Sequence, residues 1–331
     1  TLDLTALSAN VAIDLSTGAN NLGVFLLSIE NILSGSGDDT LAAAFLSQAL
    51  DGGAGNDSIT ANTLAATLSG GEGSDTIVST IAIDTVLGGE GDDLVIVADN
   101  DGFADGGVGF DRIDASLLTA DFSIDLATGV TNNPLKNFID YEAVLSGSGN
   151  DMLTGTAGGD LLEGGAGNDS FAGQGGADTL IGSDGNDSFD LNSIGDVTGS
   201  FIDGGADYDG VDLIQGILQL GTTLPFVNIE LLDIFATDFR GTAGDDLYDF
   251  RPFDTFSNFF GVGLELLLRA GAGADTVHAS NTALEAGDSN TIQGEAGDDR
   301  LFGSLNGDVL EGGADNDTLE GLGGADTLDG G

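Results

Sequence analysis

Gly52-Gly53-Ala54-Gly55-Asn56-Asp57-Ser58-Ile59-Thr60 decides the fold, because it recurs as Gly70-Gly71-Glu72-Gly73-Ser74-Asp75-Thr76-Ile77-Val78 and again from Gly88 and from Gly106. The template is G-G-x-G-x-D-x-U-x, with U a large apolar residue. Worn copies begin at Ser34, Gly204, Gly241 and Ala270, and gapless blocks run over 146–190 and 294–329. A fixed period repeated this often marks a solenoid rather than a globular core. The second glycines Gly35, Gly53, Gly71, Gly89 and Gly107 are eighteen residues apart, twice the nonapeptide. Each nonapeptide therefore reads as a half-turn, a glycine-rich loop followed by a short strand with U pointing inward. Two half-turns close one coil, and coils stack as parallel ladders about 4.8 Å apart. The expected fold is an all-β, right-handed parallel β-roll of eighteen-residue coils, in which the Asp of each loop falls above the Asp of the next.

Composition narrows the chemistry. The 331 residues carry Lys+Arg 6 against Asp+Glu 56, a net charge of -50. With Lys136 its sole lysine, the chain has no basic footprint for nucleic acid or an anionic lipid surface. Such charge usually means disorder, but 40% hydrophobic residues argue for folding. A compact state must then hold its negative charges close together, which calls for bound counter-ions. Glycine without a period of three and only 3 prolines exclude collagen, and the absence of cysteine excludes disulfides and thiolate metal sites. No run of about 18 uncharged apolar residues exists, so no membrane span is expected. The chain opens without a leader and closes inside a repeat, and reads as a piece of a longer polypeptide.

Stacked aspartates and unpaired loop carbonyls offer only oxygen. A hard cation taking six to eight such ligands suits them; calcium fits, whereas magnesium demands a tighter octahedron and keeps its waters. Soft metals lack ligands, with no Cys and a single His. On these residues the sequence resembles the calcium-binding β-roll of RTX (repeats-in-toxin) proteins. The resemblance implies ions between aspartates one coil apart: Asp39/Asp57, Asp57/Asp75, Asp75/Asp93, Asp93/Asp111, Asp151/Asp169, Asp169/Asp187, Asp160/Asp178, Asp299/Asp317 and Asp308/Asp326. Those pairs give about nine Ca2+ or more, with Asp246, Asp275 and Asp209 as further ligands. The carbonyls of Gly35, Gly53, Gly55, Gly71, Gly73, Gly89, Gly91, Gly107, Gly147, Gly165, Gly167, Gly297 and Gly313 would complete the shells.

The chain divides into lead-in strands and turns (1–33), a first roll (34–114), an insert (115–145) similar to 4–33, a second roll (146–190), an irregular Phe-rich region (191–284) and a third roll (285–331). In the first roll only alternate half-turns match, Ala66 standing where Asp is expected, so calcium should line one edge. In the second roll both edges should bind. Asn290 occupies an Asp position in a worn copy, which weakens a site beside Asp308. A longer repeat overlies these: Ala12-Ile13-Asp14-Leu15-Ser16-Thr17-Gly18 matches Ser123-Ile124-Asp125-Leu126-Ala127-Thr128-Gly129, read as strand and turn that lengthen a coil.

Sharper chemistry finds less support. His278 has no nucleophile pattern around it, and Asp99-Asn100-Asp101-Gly102 and Asp207-Tyr208-Asp209-Gly210 lack the spacing of an EF-hand. No phosphate-binding G-x-x-x-x-G-K-[ST] exists. A polysaccharide lyase is disfavoured because carboxylates locked onto calcium are not free bases. Phe226, Phe235, Phe239, Phe250, Phe253, Phe256, Phe259 and Phe260 read as a local cap, or as an exposed patch for contact between subunits.

The expected function is a non-enzymatic, secreted structural protein, a surface-layer, adhesin or filament component of a bacterial cell surface. Its folding would be driven by calcium, and its partners would be further copies or cell-surface glycan. The alternative is the carboxyl-terminal secretion and folding module of a type I-secreted enzyme or haemolysin whose active domain lies outside this chain.

Overall fold

The computed structural model describes the chain except residues 24–25, 27–28, 45–46, 62–65, 80–83, 99–101, 134–135, 191–198, 207–209, 214–215, 220–225, 228–230, 235–236, 241–246, 250–254, 258–264 and 280–288. Of 210–266 and 289 only the backbone is described, Tyr248 excepted. Every regular element among the described residues is a strand, and no helix is long and apolar enough to cross a membrane. The chain forms two units, 1–156 with 161–166, and 157–160 with 167–331.

In the first unit, two parallel ladders face each other. One stacks Asn31–Leu33, Ala49–Ala54, Thr67–Glu72, Asp84–Glu90, Gly102–Val108 and Lys136–Ile139; the other stacks Thr40–Ala42, Ser58–Ala61, Thr76–Ser79, Leu94–Val97, Arg112–Asp114, Ala143–Leu145 and Leu161–Ala166. Register follows the coil: Leu50 pairs with Leu68, Val86 with Ala104, Ile59 with Ile77 and Val95 with Ile113. Alternate residues of a strand point to opposite faces, so the U position of each coil goes inward. Leu41, Ile59, Ile77, Val95, Ile113 and Leu162 are fully buried, opposite Leu50, Leu68, Val86 and Ala104, and Leu153 is fully buried on the latter side. In the first ladder Ala49–Ala54, Thr67–Glu72, Asp84–Glu90 and Gly102–Val108 run to six or seven residues, because the glycine pair itself joins the ladder: Gly53 pairs with Gly71 and Gly71 with Gly89.

The long repeat proves to be a pair of antiparallel hairpins. Ala12–Asp14 returns through a turn to Ala19–Asn20, and Ser123–Asp125 to Val130–Thr131. The Asp14 carboxylate holds the first turn by accepting from the Ser16 amide at 2.8 Å and the Thr17 hydroxyl at 2.7 Å, the local bonding that favours Asp in turns.

In the second unit, parallel stacking continues through Ser170–Ala172, Ser188–Asp190, Gly210–Leu213, Leu231–Ile234 and Thr255–Ser257. It also runs from Gly216–Gln219 through Thr237–Arg240, Glu265–Ala272, Ser289–Ala296 and Val309–Ala314 to Thr327–Asp329. The described strands of the Phe-rich region thus belong to the solenoid, in longer coils: Val211 pairs with Leu232, and Leu232 with Phe256. The cap or patch expected of its phenylalanines rests on side chains outside the described residues. Phe171 stacks on Phe189 in the core with ring centroids 4.8 Å apart, and Leu180, Leu301 and Leu310 are buried. His278 stacks on Phe302 at 4.4 Å, in keeping with a structural role. Leu319 and Leu328 depart from the inward pattern. Leu328 is 49% exposed because, among the described residues, no strand pairs on the far side of Thr327–Asp329.

Candidate metal centre

Each loop delivers its aspartate to the same place, just before the inward strand, so that successive aspartates stand one above another. In the first unit the amide of Asp39 donates to Oδ1 of Asp57 at 2.7 Å, Asp57 to Asp75 at 2.7 Å, Asp75 to Asp93 at 2.8 Å and Asp93 to Asp111 at 2.8 Å. In the second, Asp160 donates to Asp178 at 3.0 Å, Asp169 to Asp187 at 2.8 Å, Asp275 to Asp299 at 2.9 Å, Asp299 to Asp317 at 3.0 Å and Asp308 to Asp326 at 3.1 Å. Eight of the nine pairs named from the sequence are therefore brought together within a unit; Asp151 lies in the first unit and Asp169 in the second. Asp246 and Asp209 lie outside the described residues.

This ladder uses one carboxylate oxygen and leaves the other. Oδ2 of Asp57, Asp75, Asp93, Asp111, Asp178, Asp299 and Asp317 is buried without a hydrogen-bond donor. A buried acceptor in that state costs free energy, more so when charged. The cost shows in the acidities. Burial pushes Asp57, Asp75, Asp111 and Asp178 up to about 6 and Asp93 up to about 7, against a smaller downward pull from the amide of the neighbouring coil. Asp299 is raised for the same reason.

The surroundings of these oxygens supply more oxygen and no donor. At the place a Cβ on Gly52 would take, Asp57 Oδ2 meets the Gly70 carbonyl, 2.7 Å from that point; at Gly70 it is Asp75 Oδ2 and the Gly88 carbonyl at 2.6 Å; at Gly294, Asp299 Oδ2 and the Gly312 carbonyl at 2.5 Å. Any side chain would fill this cradle, and at each of these seven rungs the first position is glycine. The second and fourth glycines serve the stacking itself: Gly71 has φ 117°, and a Cβ there would run into the Gly53 carbonyl. Among the described residues no three of His, Cys, Asp or Glu converge. Each rung offers a carboxylate oxygen per coil and carbonyls for the rest, a set that fits calcium and no thiophilic metal.

Of the carbonyls named from the sequence, those of Gly35 and Gly147 accept from the amides of Ala54 and Ala166, both at 2.9 Å. Those of Gly53, Gly55, Gly71, Gly73, Gly89 and Gly91 face the glycine one coil on, and that of Gly167 faces Gly185. The structure adds the first-position carbonyls of Gly70, Gly88, Gly106 and Gly312, which sequence reasoning passed over.

Four further aspartates differ, because their second oxygen has protein donors. Asp39 Oδ2 accepts from the Ser34 hydroxyl and Asp151 Oδ2 from that of Ser146, while their Oδ1 atoms accept from the amides of Val11 at 2.6 Å and Phe122 at 2.7 Å. Asp308 is enclosed by Asn290 and Ser304: its Oδ1 takes the Asn290 side-chain amide at 2.8 Å and its Oδ2 the Ser304 amide at 2.6 Å. Asp84, absent from the sequence reading, is buried on the opposite edge of the first roll in register with Gln48, Ala66 and Gly102. Its oxygens accept from the Ala66 amide at 2.7 Å and the Ser79 hydroxyl at 2.9 Å. Serine in place of the first glycine, at Ser34, Ser146 and Ser79, or of the second, at Ser304, was the readable signal.

A family model described as the RTX calcium-binding nonapeptide repeat, in four copies, matches residues 49–63, 69–104, 145–180, 167–193, 286–306 and 302–331. No curated protein matches the chain. The matched segments carry Asp57, Asp75, Asp93, Asp160, Asp169, Asp178, Asp187, Asp299, Asp308, Asp317 and Asp326 of the ladders, and over them the chain is built of RTX calcium-binding nonapeptide repeats.

Proposed function

We propose that this chain is a secreted, non-enzymatic structural element whose folding is switched on by calcium outside the bacterial cell. The observation that supports it is the row of seven buried carboxylate oxygens without donors, spread over both units. Such a row opposes folding until a cation joins it. Because the unfolded chain lacks these sites, the energy of binding is energy of folding. A chain of this kind is unfolded at the submicromolar calcium of a cytosol and folds at the millimolar calcium of an exterior, within the range over which calcium sites operate. Each folded unit is an acidic solenoid, suited to a surface layer, adhesin or filament in which the repeat itself is the working part.

The test follows strand content by circular dichroism and assembly by electron microscopy, in calcium and in chelator. Loss of strand in chelator with filaments or sheets in calcium supports the proposal. Calcium-dependent folding to a plain monomer favours a secretion and folding module instead, and strand content indifferent to calcium overturns both.

A further inference from the structure

The insert interrupts the nonapeptide pattern but preserves the oxygen cradle. Asp105 pairs with Ile139 and Arg112 with Ala143, so the six loop residues from Gly106 to Asp111 face only Asp140, Tyr141 and Glu142 on the next coil. The Asp111 amide donates to Glu142 Oε2 at 2.8 Å, the place an Asp Oδ1 takes at each earlier rung. Glu142 therefore stands in the aspartate ladder without belonging to a repeat.

The rest of the cradle is present as well. Where a Cβ on Gly106 would stand, Asp111 Oδ2 lies at 2.8 Å and the Asp140 carbonyl is closer still, the same pair of oxygens that Asp93 Oδ2 and the Gly106 carbonyl form at Gly88. Asp140 turns its carbonyl there from a left-handed backbone, φ 56°. Asp111 is wholly buried and its Oδ2 has no donor. A second atom shares that condition. The Tyr141 hydroxyl is buried without a partner, its ring held edge-on to Phe138 at 6.2 Å.

We propose that the Asp111 and Glu142 carboxylates, the Asp140 carbonyl and the Tyr141 hydroxyl hold one further divalent cation, calcium, at the junction of the first roll with its insert. The site continues the calcium stack one coil past the last nonapeptide, with a three-residue turn in place of a glycine loop. It rests on calcium being the ligand of the repeats.

Equilibrium dialysis of the whole chain against calcium, wild type beside Glu142→Gln, tests it. The Gln side chain still accepts from the Asp111 amide, so the ladder is kept while a charged ligand is lost. One bound ion fewer is expected; an unchanged count overturns the proposal and leaves a direct Tyr141–Asp111 hydrogen bond as the account of both atoms. Terbium provides a reading that does not depend on the Gln variant folding, since the chain has 3 tyrosines and no tryptophan to sensitise it. Tyrosine-excited terbium emission should fall several-fold in Tyr141→Phe, and emission that does not fall overturns the site. A wild-type chain that binds no calcium would instead sink the reading of the repeats as a whole.

Discussion

The two edges of the last roll are built from the same backbone and end differently. On one, Asp275, Asp299 and Asp317 stack, and Oδ2 of Asp299 and of Asp317 is left buried without a donor. On the other, Asn290, Asp308 and Asp326 stack, and the neutral amide of Asn290 with the turn of Ser304 supplies Asp308 with donors on both oxygens. A buried carboxylate must be met either by a cation or by enough hydrogen bonds. The first edge is open to calcium; the second is closed by protein. The same contrast separates Asp57, Asp75, Asp93 and Asp111 from Asp39 and Asp151, where Ser34 and Ser146 do what Ser304 does. A motif match alone therefore overstates the number of rungs that need an ion.

Removing calcium should break the open rungs throughout, and acid should partly restore them. Asp57, Asp75, Asp93, Asp111 and Asp178 have folded values raised to about 6 or 7 from an ordinary 3.8, so the metal-free folded chain holds protons more tightly than the unfolded one. Its stability is then greatest below about pH 4 and is lost as pH rises toward 7. Circular dichroism of the chelated chain across that range should show strand content growing as pH falls; a metal-free chain that gains strand with rising pH contradicts this.

Gly71→Ala places a methyl group against the Gly53 carbonyl at a left-handed backbone position. It should cost about 2 kcal/mol or more, read as a lower thermal midpoint in saturating calcium. Asp75→Asn strikes the middle of the open stack and should lower the calcium count while raising the calcium concentration needed for folding. The same change at Asp39, a closed rung, should move that midpoint less, and equal shifts would erase the distinction between open and closed rungs.

Asn290→Asp sharpens the comparison from the other side. It puts a second charge beside Asp308, and calorimetric titration should find one ion gained together with lower stability in chelator. The smallest effect belongs to Ser304→Ala, which removes one hydroxyl donor from Asp308 and should cost about 1 kcal/mol with no change in ion count.

Much of this was legible because the nonapeptide is a local code. The spacing of Gly35, Gly53, Gly71, Gly89 and Gly107 names the coil, the apolar U positions name the core, and the aspartates name the ladder. What could not be read depends on register between coils. Asp84 belongs to no matching nonapeptide, yet stacking brings it over Ala66. Glu142 lies 31 residues from Asp111, and only the path of the insert sets one on the other. The I-D-L-x-T-G stretches announced a strand and a turn but not their antiparallel return, since pairing direction is a property of two segments.

By itself, then, the sequence determined the solenoid, its parallel coils, the inward residues and the oxygen character of its sites, because short periodic signals set strand, turn and facing. Only the tertiary structure decided which carboxylates have donors and which do not. That depends on whether a serine, an asparagine or a glycine of the same or an adjacent coil stands within hydrogen-bonding reach, a distance of about 3 Å that no spacing along the chain encodes.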